Sequence, residues 1–177
     1  MAEQDLVAIA RAIIDTNRYM TLATADGDGR PWASPVFYAA ANYTEFYWLS
    51  APEATHSQNL AQRPQLSIVI FDSGVPAGTG QAVYMSATAE QVAVHDLGPG
   101  LAVYPGPAEP GSAEPGSAEP GSDPLTPEQV QAPAPYRLYR ATVSGHSVLC
   151  PRDSGPCPLH GLQFDHRTPV RVADGSR

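Results

Sequence analysis

The chain has 177 residues, 42% of them apolar and 8% aromatic, enough for one compact domain and too apolar for a wholly disordered polymer. Its ten basic residues are all arginine, and 18 acidic residues bring the formal charge to −8. Such a surface repels phosphate backbones and anionic lipid, which argues against general nucleic-acid or membrane binding. No apolar run approaches the roughly 18 residues of a membrane helix, and no basic-then-apolar leader opens the chain, so a cytoplasmic protein is expected. Two cysteines cannot make a disulfide framework.

The first predicted element is a helix over Glu3–Arg18. Leu6, Ile9, Ala10, Ile13 and Ile14 fall at i, i+3, i+4 spacing and give it one apolar face. Tyr19–Ala25 then reads as a strand, Asp26-Gly27-Asp28-Gly29 as a hairpin turn, and Pro31–Ala41 as the returning strand. Asn42-Tyr43-Thr44 turns the chain into a third strand, Glu45–Ser50 (EFYWLS). A short helix capped by Thr55 runs through Leu60 and stops before Pro64. The β-branched run Gln65–Phe71 suits a buried central strand, and Gln81–Val94 follows a loop as a long strand or bent pair.

Ten of the 19 prolines lie between Pro99 and Pro135, and Ala-Glu-Pro-Gly-Ser occurs three times in tandem over Ala108–Ser122. These repeats hold nothing apolar larger than alanine, too little burial to offset about 1–2 kcal/mol of backbone entropy per residue. The stretch 99–123 therefore reads as a flexible insert in a single domain, 1–177. Beyond it, Thr126-Pro127-Glu128-Gln129 has helix-start chemistry, Tyr136–His146 and Ser147–Leu149 read as strands, and Val170–Val172 as a short last one. Six or seven strands with few helices imply a mainly β protein, an antiparallel barrel with peripheral helices.

Three motifs stand in this order: TLATADGDGRPWASPVFY, EFYWLS and THSQNLAQRPQLSIVIFD. Together they resemble the FMN-binding split-barrel superfamily that includes pyridoxamine 5′-phosphate oxidases. The resemblance runs from about Tyr19 to Val94 and resumes at Tyr136–Ala141 and Asp165–Val172. It implies a six- or seven-stranded split barrel and a homodimer with two flavins in interface clefts. It further implies that Ser34, Pro35, Val36 and Phe37 offer backbone to the isoalloxazine ring, and that Leu49 and Ser50 contact the flavin. Thr55 and His56 fall where the oxidases place an Arg-Lys pair on the phosphate, with Asn59 a turn later. Gln81 lies near a glutamine that the family turns toward the flavin.

A helix opening with Thr55, His56 and Ser57 can itself seat an anion through hydroxyls and N–H groups. The departures are equally specific. Ser34 and Ala39 stand where the oxidases carry an arginine and a lysine, and His56 replaces another lysine. Each lost charge-assisted bond is worth about 1.5–3 kcal/mol; Arg30, Arg63 or a partner-subunit arginine are the candidates to compensate. The C-terminal Arg-x-His-x-Arg pattern that holds the vitamin phosphate is missing, so oxidation of pyridoxine phosphate is not expected. What is expected is an FMN-binding oxidoreductase acting on a small organic molecule, with no catalytic side chain nominated. The alternatives are a deazaflavin coenzyme in place of FMN, or a non-catalytic dimer binding flavin, haem or deazaflavin.

Cys150-x6-Cys157-x2-His160-x5-His166 holds the residue types of a tetrahedral zinc site. Its first spacing exceeds the usual two to four residues, and Pro151, Pro156 and Pro158 crowd the ligands. It reads as a loop with incidental cysteines, and no metal is expected. His95 and His146 read as exposed or hydrogen-bonded histidines.

Overall fold

The computed structural model describes residues 3–104, 125–150 and 155–172. The tandem repeats, and the predicted insert from residue 105 onward, lie outside the described residues. Eight strands form one antiparallel sheet: β1 (Tyr19–Ala25), β2 (Pro31–Phe37), β3 (Ala39–Ala41), β4 (Glu45–Ser50), β5 (Gln65–Phe71), β6 (Ala82–Gln91), β7 (Arg137–Leu149) and β8 (Arg167–Val170). Their order is β2-β1-β5-β6-β7-β4-β3, with β8 alongside β7. The two ends of that order, β2 and β3, are consecutive in the chain on either side of Tyr38. One bent strand thus pairs with β1 through its first half and with β4 through its second. That change of partner curls the sheet into a split barrel.

The hairpin turns follow from their residues. Asp26 Oδ1 accepts the backbone N–H groups of Asp28 and Arg30, both at 2.9 Å, and Gly29 sits at φ +86°. Asn42 (φ 52°) and Tyr43 (φ 58°) both take the left-handed region, as a type I′ turn requires. Alternation places Met20, Leu22, Ile68, Ile70, Val83, Met85, Phe46 and Trp48 inside, all nearly inaccessible to solvent. The helix α1 (Glu3–Thr16) adds its stripe of Leu6, Ala10, Ile13 and Ile14 to the same cluster. No helix among the described residues is long and apolar enough to cross a membrane.

Several expectations are corrected. The predicted strand Pro31–Ala41 is two elements, because Tyr38 leaves the ladder: its hydroxyl donates to Ile14 O at 2.6 Å and its N–H to Arg18 O at 3.2 Å. The predicted strands Tyr136–His146 and Ser147–Leu149 are one strand, β7 (Arg137–Leu149). A bulge opposite Ser86/Ala87 leaves Ser144 unpaired and lets the strand continue past Gly145. The last strand lies at Arg167–Val170, ahead of the predicted Val170–Val172.

Residues 99–103, expected as the start of the insert, belong to helix α3 (Leu97–Val103). This helix covers the outer face of β4 and β7, where Tyr47, Leu138, Leu97, Tyr104 and Val130 form a second apolar cluster. Strand β4 and the start of β7 are therefore covered on both faces. The approach is close at Gly100, where an added Cβ would lie 2.6 Å from Leu138 Cδ2 and 2.8 Å from Tyr47 Cε1. Replacing Gly100 by alanine is expected to destabilise the fold by about 1–3 kcal/mol through overpacking. Gly98, with open space at its Cβ position, should accept alanine without loss; urea unfolding of both variants measures the difference.

Candidate functional site

The site forms where three elements meet at one end of the barrel. Ser34 lies on the inward face of β2 opposite Leu22, and Ser50 closes β4. His56 opens α2 (Thr55–Gln62). The imidazole bridges the two hydroxyls, with Nε2 2.6 Å from Ser50 Oγ and Nδ1 3.1 Å from Ser34 Oγ. The indole N–H of half-exposed Trp32 donates to Ser34 Oγ at 3.0 Å. Three residues far apart in sequence, Ser34, Ser50 and His56, are thus one hydrogen-bonded unit.

Helix α2 begins without a side-chain cap. Its N-cap is Ala54, not Thr55, and Thr55 is an exposed first-turn residue. The first-turn N–H groups consequently keep their partial positive charge available at this end of the barrel. Ser57, in the same turn, is buried, and its Oγ has no hydrogen-bond partner among the described residues. Asn59 turns away: its amide donates at 3.1 Å to Thr24 Oγ1, which in turn donates to Trp32 O at 3.4 Å. Asn59 therefore fixes α2 to β1.

The remaining predicted positions are dispersed. Pro35 is exposed, and Val36 is in the main core. Phe37 and Leu49 face the second cluster, with the Tyr104 ring edge-on to Phe37 at 5.8 Å. Gln81 precedes β6; its Nε2 lies 3.4 Å from Gly80 O and its Oε1 is buried without a partner. Neither arginine named as a compensating cation is directed at the serine–histidine unit. Arg30 pairs with Asp26 and Asp28 at 3.7 and 3.3 Å, and Arg63 donates to Gly27 O at 3.0 Å. A groove of about 560 Å³ lies elsewhere, on the outer face of β5, β6 and β7. It is lined by Ser67, Tyr84, Ser86 and Arg167, whose guanidinium sits 3.6 Å above the Tyr84 ring.

Sequence comparison places this geometry in a family. Residues 6–143 match the family model described as pyridoxamine 5′-phosphate oxidase. The chain belongs to the pyridoxamine 5′-phosphate oxidase family. No curated protein matches it in sequence. Among solved structures, a heme-binding protein from Mycobacterium smegmatis is similar at 18% identity and TM-score 0.61, over 96% of this chain and 58% of that one. This oxidase-family chain thus spans less than two thirds of that neighbour. An FAD-binding protein from Mesorhizobium loti (18%, TM-score 0.51) covers 80% of this chain and 91% of its own. The heme storage protein HutZ from Vibrio cholerae (18%, TM-score 0.50) covers 77% and 89%. At these identities the likeness is one of fold.

Ser57 carries no sequence signal beyond its place in the first turn, and only the structure shows its orphaned hydroxyl. Burial lowers the pKa of His56, so the imidazole is neutral near pH 7. Burial also lowers that of His146, partly opposed by its 2.8 Å hydrogen bond to Tyr43 O. Both folded-state values lie below the unfolded value near 6.5. The stability this represents is present above pH 6.5 and is lost as pH falls through the folded values. Thermal melts between pH 7.5 and 5 should show a falling midpoint. His56→Gln should flatten that slope, and adding His146→Gln should flatten it further.

Proposed function

We propose that this chain binds FMN, with the flavin phosphate seated by α2, Ser50 and Ser57 at the open end of the barrel. The observation carrying this reading is the joined Ser34–His56–Ser50 unit beside an uncapped helix start with an orphaned hydroxyl. In the tautomer with the proton on Nε2, His56 donates to Ser50 Oγ, and Ser34 donates to Nδ1. The Ser50 hydroxyl proton is then free to point outward at an anion. Trp32 and Ser34 hold the imidazole in place from the other side.

The residues fit the group. Two buried polar atoms without partners, Ser57 Oγ and Gln81 Oε1, fall on the helix turn and near the glutamine that the family directs at its flavin. An unmet buried polar atom costs about 1–3 kcal/mol, and a bound phosphate or ring edge relieves that cost. The donor set differs from that of the oxidases in being neutral: hydroxyls and helix N–H groups replace three cations. Bound flavin would supply hydride or single-electron transfer to a small organic molecule. The chain's part is to orient the ring and exclude water. The same reading takes the protein as a homodimer, each cleft completed by the second copy.

A deazaflavin coenzyme is the second reading. It is favoured by the neutral donors, which suit a singly charged phosphodiester as well as a dianion. Titrating the protein with FMN, riboflavin and a deazaflavin, read by flavin fluorescence and visible absorption, separates the possibilities. FMN should bind at least tenfold more tightly than riboflavin. Ser57→Ala should remove about tenfold or more of the FMN affinity, one charge-assisted hydrogen bond, and leave riboflavin unchanged. Equal affinity for FMN and riboflavin would sink the phosphate seat. Light scattering of the loaded protein measures the dimer.

A further inference from the structure

Four side chains of a stretch expected to be a loop with incidental cysteines, Cys150, Cys157, His160 and His166, are gathered into one cluster. Cys150 Sγ lies 3.2 Å from Cys157 Sγ and 3.7 Å from His160 Nδ1, and Cys157 Sγ lies 3.5 Å from His160 Nδ1. His166 Nε2 completes the group 3.0 Å from His160 Nδ1, and all four ligand atoms lie within 4.8 Å of one another. Zinc–sulfur bonds of about 2.3 Å and zinc–nitrogen bonds of about 2.0–2.1 Å in a tetrahedron require edges of about 3.8 Å (S–S), 3.6 Å (S–N) and 3.3 Å (N–N). The two sulfur–nitrogen separations match these edges, while the sulfur–sulfur and nitrogen–nitrogen separations of 3.2 and 3.0 Å are shorter and would open on metal binding. We infer that Cys150, Cys157, His160 and His166 form a structural zinc site.

The surroundings support the ligand assignment. His166 Nδ1 lies 3.0 Å from Phe164 O. A carbonyl only accepts, so Nδ1 carries the proton and Nε2 is left bare for a metal, the usual arrangement for a ligating histidine. Cys157, Pro158, Leu159 and His160 make a tight turn in which Gly161, at φ +69°, returns its N–H to Cys157 O at 2.8 Å. That two-residue spacing between ligands is within the range common to zinc sites. The distant pair is joined by the hairpin: Cys150 follows β7, His166 precedes β8, and the Cys150 N–H donates to His166 O at 2.9 Å. The long spacing in sequence is therefore short in space.

The donor set selects the ion. Two thiolates and two neutral imidazoles favour zinc over magnesium or calcium. Ligands this closely spaced enclose one ion, where a two-iron cluster would need them further apart. Binding releases two thiol protons to solvent, and the two thiolate charges neutralise Zn²⁺. Four protein ligands leave no open position, which makes the role structural. The ion would close the connection between β7 and β8. It would thereby hold in place the segment whose Val172 O accepts Arg11 of α1 at 2.8 Å.

The test uses the full chain purified in reductant. Elemental analysis should find about one zinc per chain after desalting. Replacing it with Co²⁺ should give the intense visible bands of a tetrahedral site together with sulfur-to-cobalt charge transfer. His166→Ala should weaken Co²⁺ binding at least tenfold, while His95→Ala, at an exposed site outside the cluster, should not change it. Chelation of the wild-type protein should lower its melting temperature. The assignment is overturned by a weak octahedral Co²⁺ spectrum with both thiols freely titratable, or by a Cys150–Cys157 disulfide that persists in reductant.

Discussion

Closure of the barrel rests on Tyr38, where one strand stops pairing with β1 and starts pairing with β4. A backbone that leaves both ladders inside a protein must find other partners for its polar groups. Tyr38 meets this demand with the link to β1 and the end of α1: its N–H donates to Arg18 O and its hydroxyl to Ile14 O, a buried bond of 2.6 Å. The bond also satisfies a helix carbonyl that has no intrahelical donor beyond the end of α1. Burial, with Asp15 adding to it, pushes the Tyr38 hydroxyl well above its usual pKa, so it stays a donor throughout the physiological range. Its ring lies 5.6 Å from Phe46, which ties the bend to the core.

The position of the site follows from that bend. Ser34 faces inward four residues before Tyr38, and Ser50 ends the strand that pairs with the second half of the bent element. Because β2 and β4 are drawn together there, a single imidazole can reach both hydroxyls. Helix α2 supplies that imidazole at the angle set by the Asn59–Thr24 bond. Removing the bend would separate Ser34 from Ser50 without altering either strand's own sequence.

Where local chemistry and burial agree, the sequence was a reliable guide. Tyr19–Ala25, Glu45–Ser50 and Gln65–Phe71 alternate and are bounded by Asp-Gly, Asn-Tyr-Thr or Pro, and their ends were legible to the residue. Tyr38 was not legible, because neither glycine nor proline marks it and β-forming residues continue through it. Helix α3 was hidden for the opposite reason: Gly98, Pro99 and Gly100 oppose a helix locally. Contact with Tyr47 and Leu138, which only Gly100 permits, overrides that propensity. At the site, order along the chain indicated Ser34, Ser50 and His56, but not that Asn59 would be spent on Thr24. The cysteine–histidine cluster is hidden by its sequence spacing, since only the β7–β8 register brings residues 150 and 166 face to face.

The distribution of charge bears on why the anion seat proposed above would be built from dipoles. With no lysine in the chain, arginine is the sole permanently cationic side chain, and five of the described arginines serve the framework. Arg30 and Arg63 brace the β1–β2 turn, Arg11 holds Val172, and Arg137 donates to Ala134 O and Tyr136 O. Arg140 lies between Glu45 and Glu90 and links β4, β7 and β6. Each is engaged by an oxygen of the protein itself, and moving one to a ligand phosphate would give up that contact. Hydroxyls and helix N–H groups carry no such obligation. They are also fixed in direction before a ligand arrives, so less ordering is required on binding than with long flexible cations. A seat of this kind favours a ligand through the geometry of its donors more than through long-range attraction, as suits a protein whose overall field is negative.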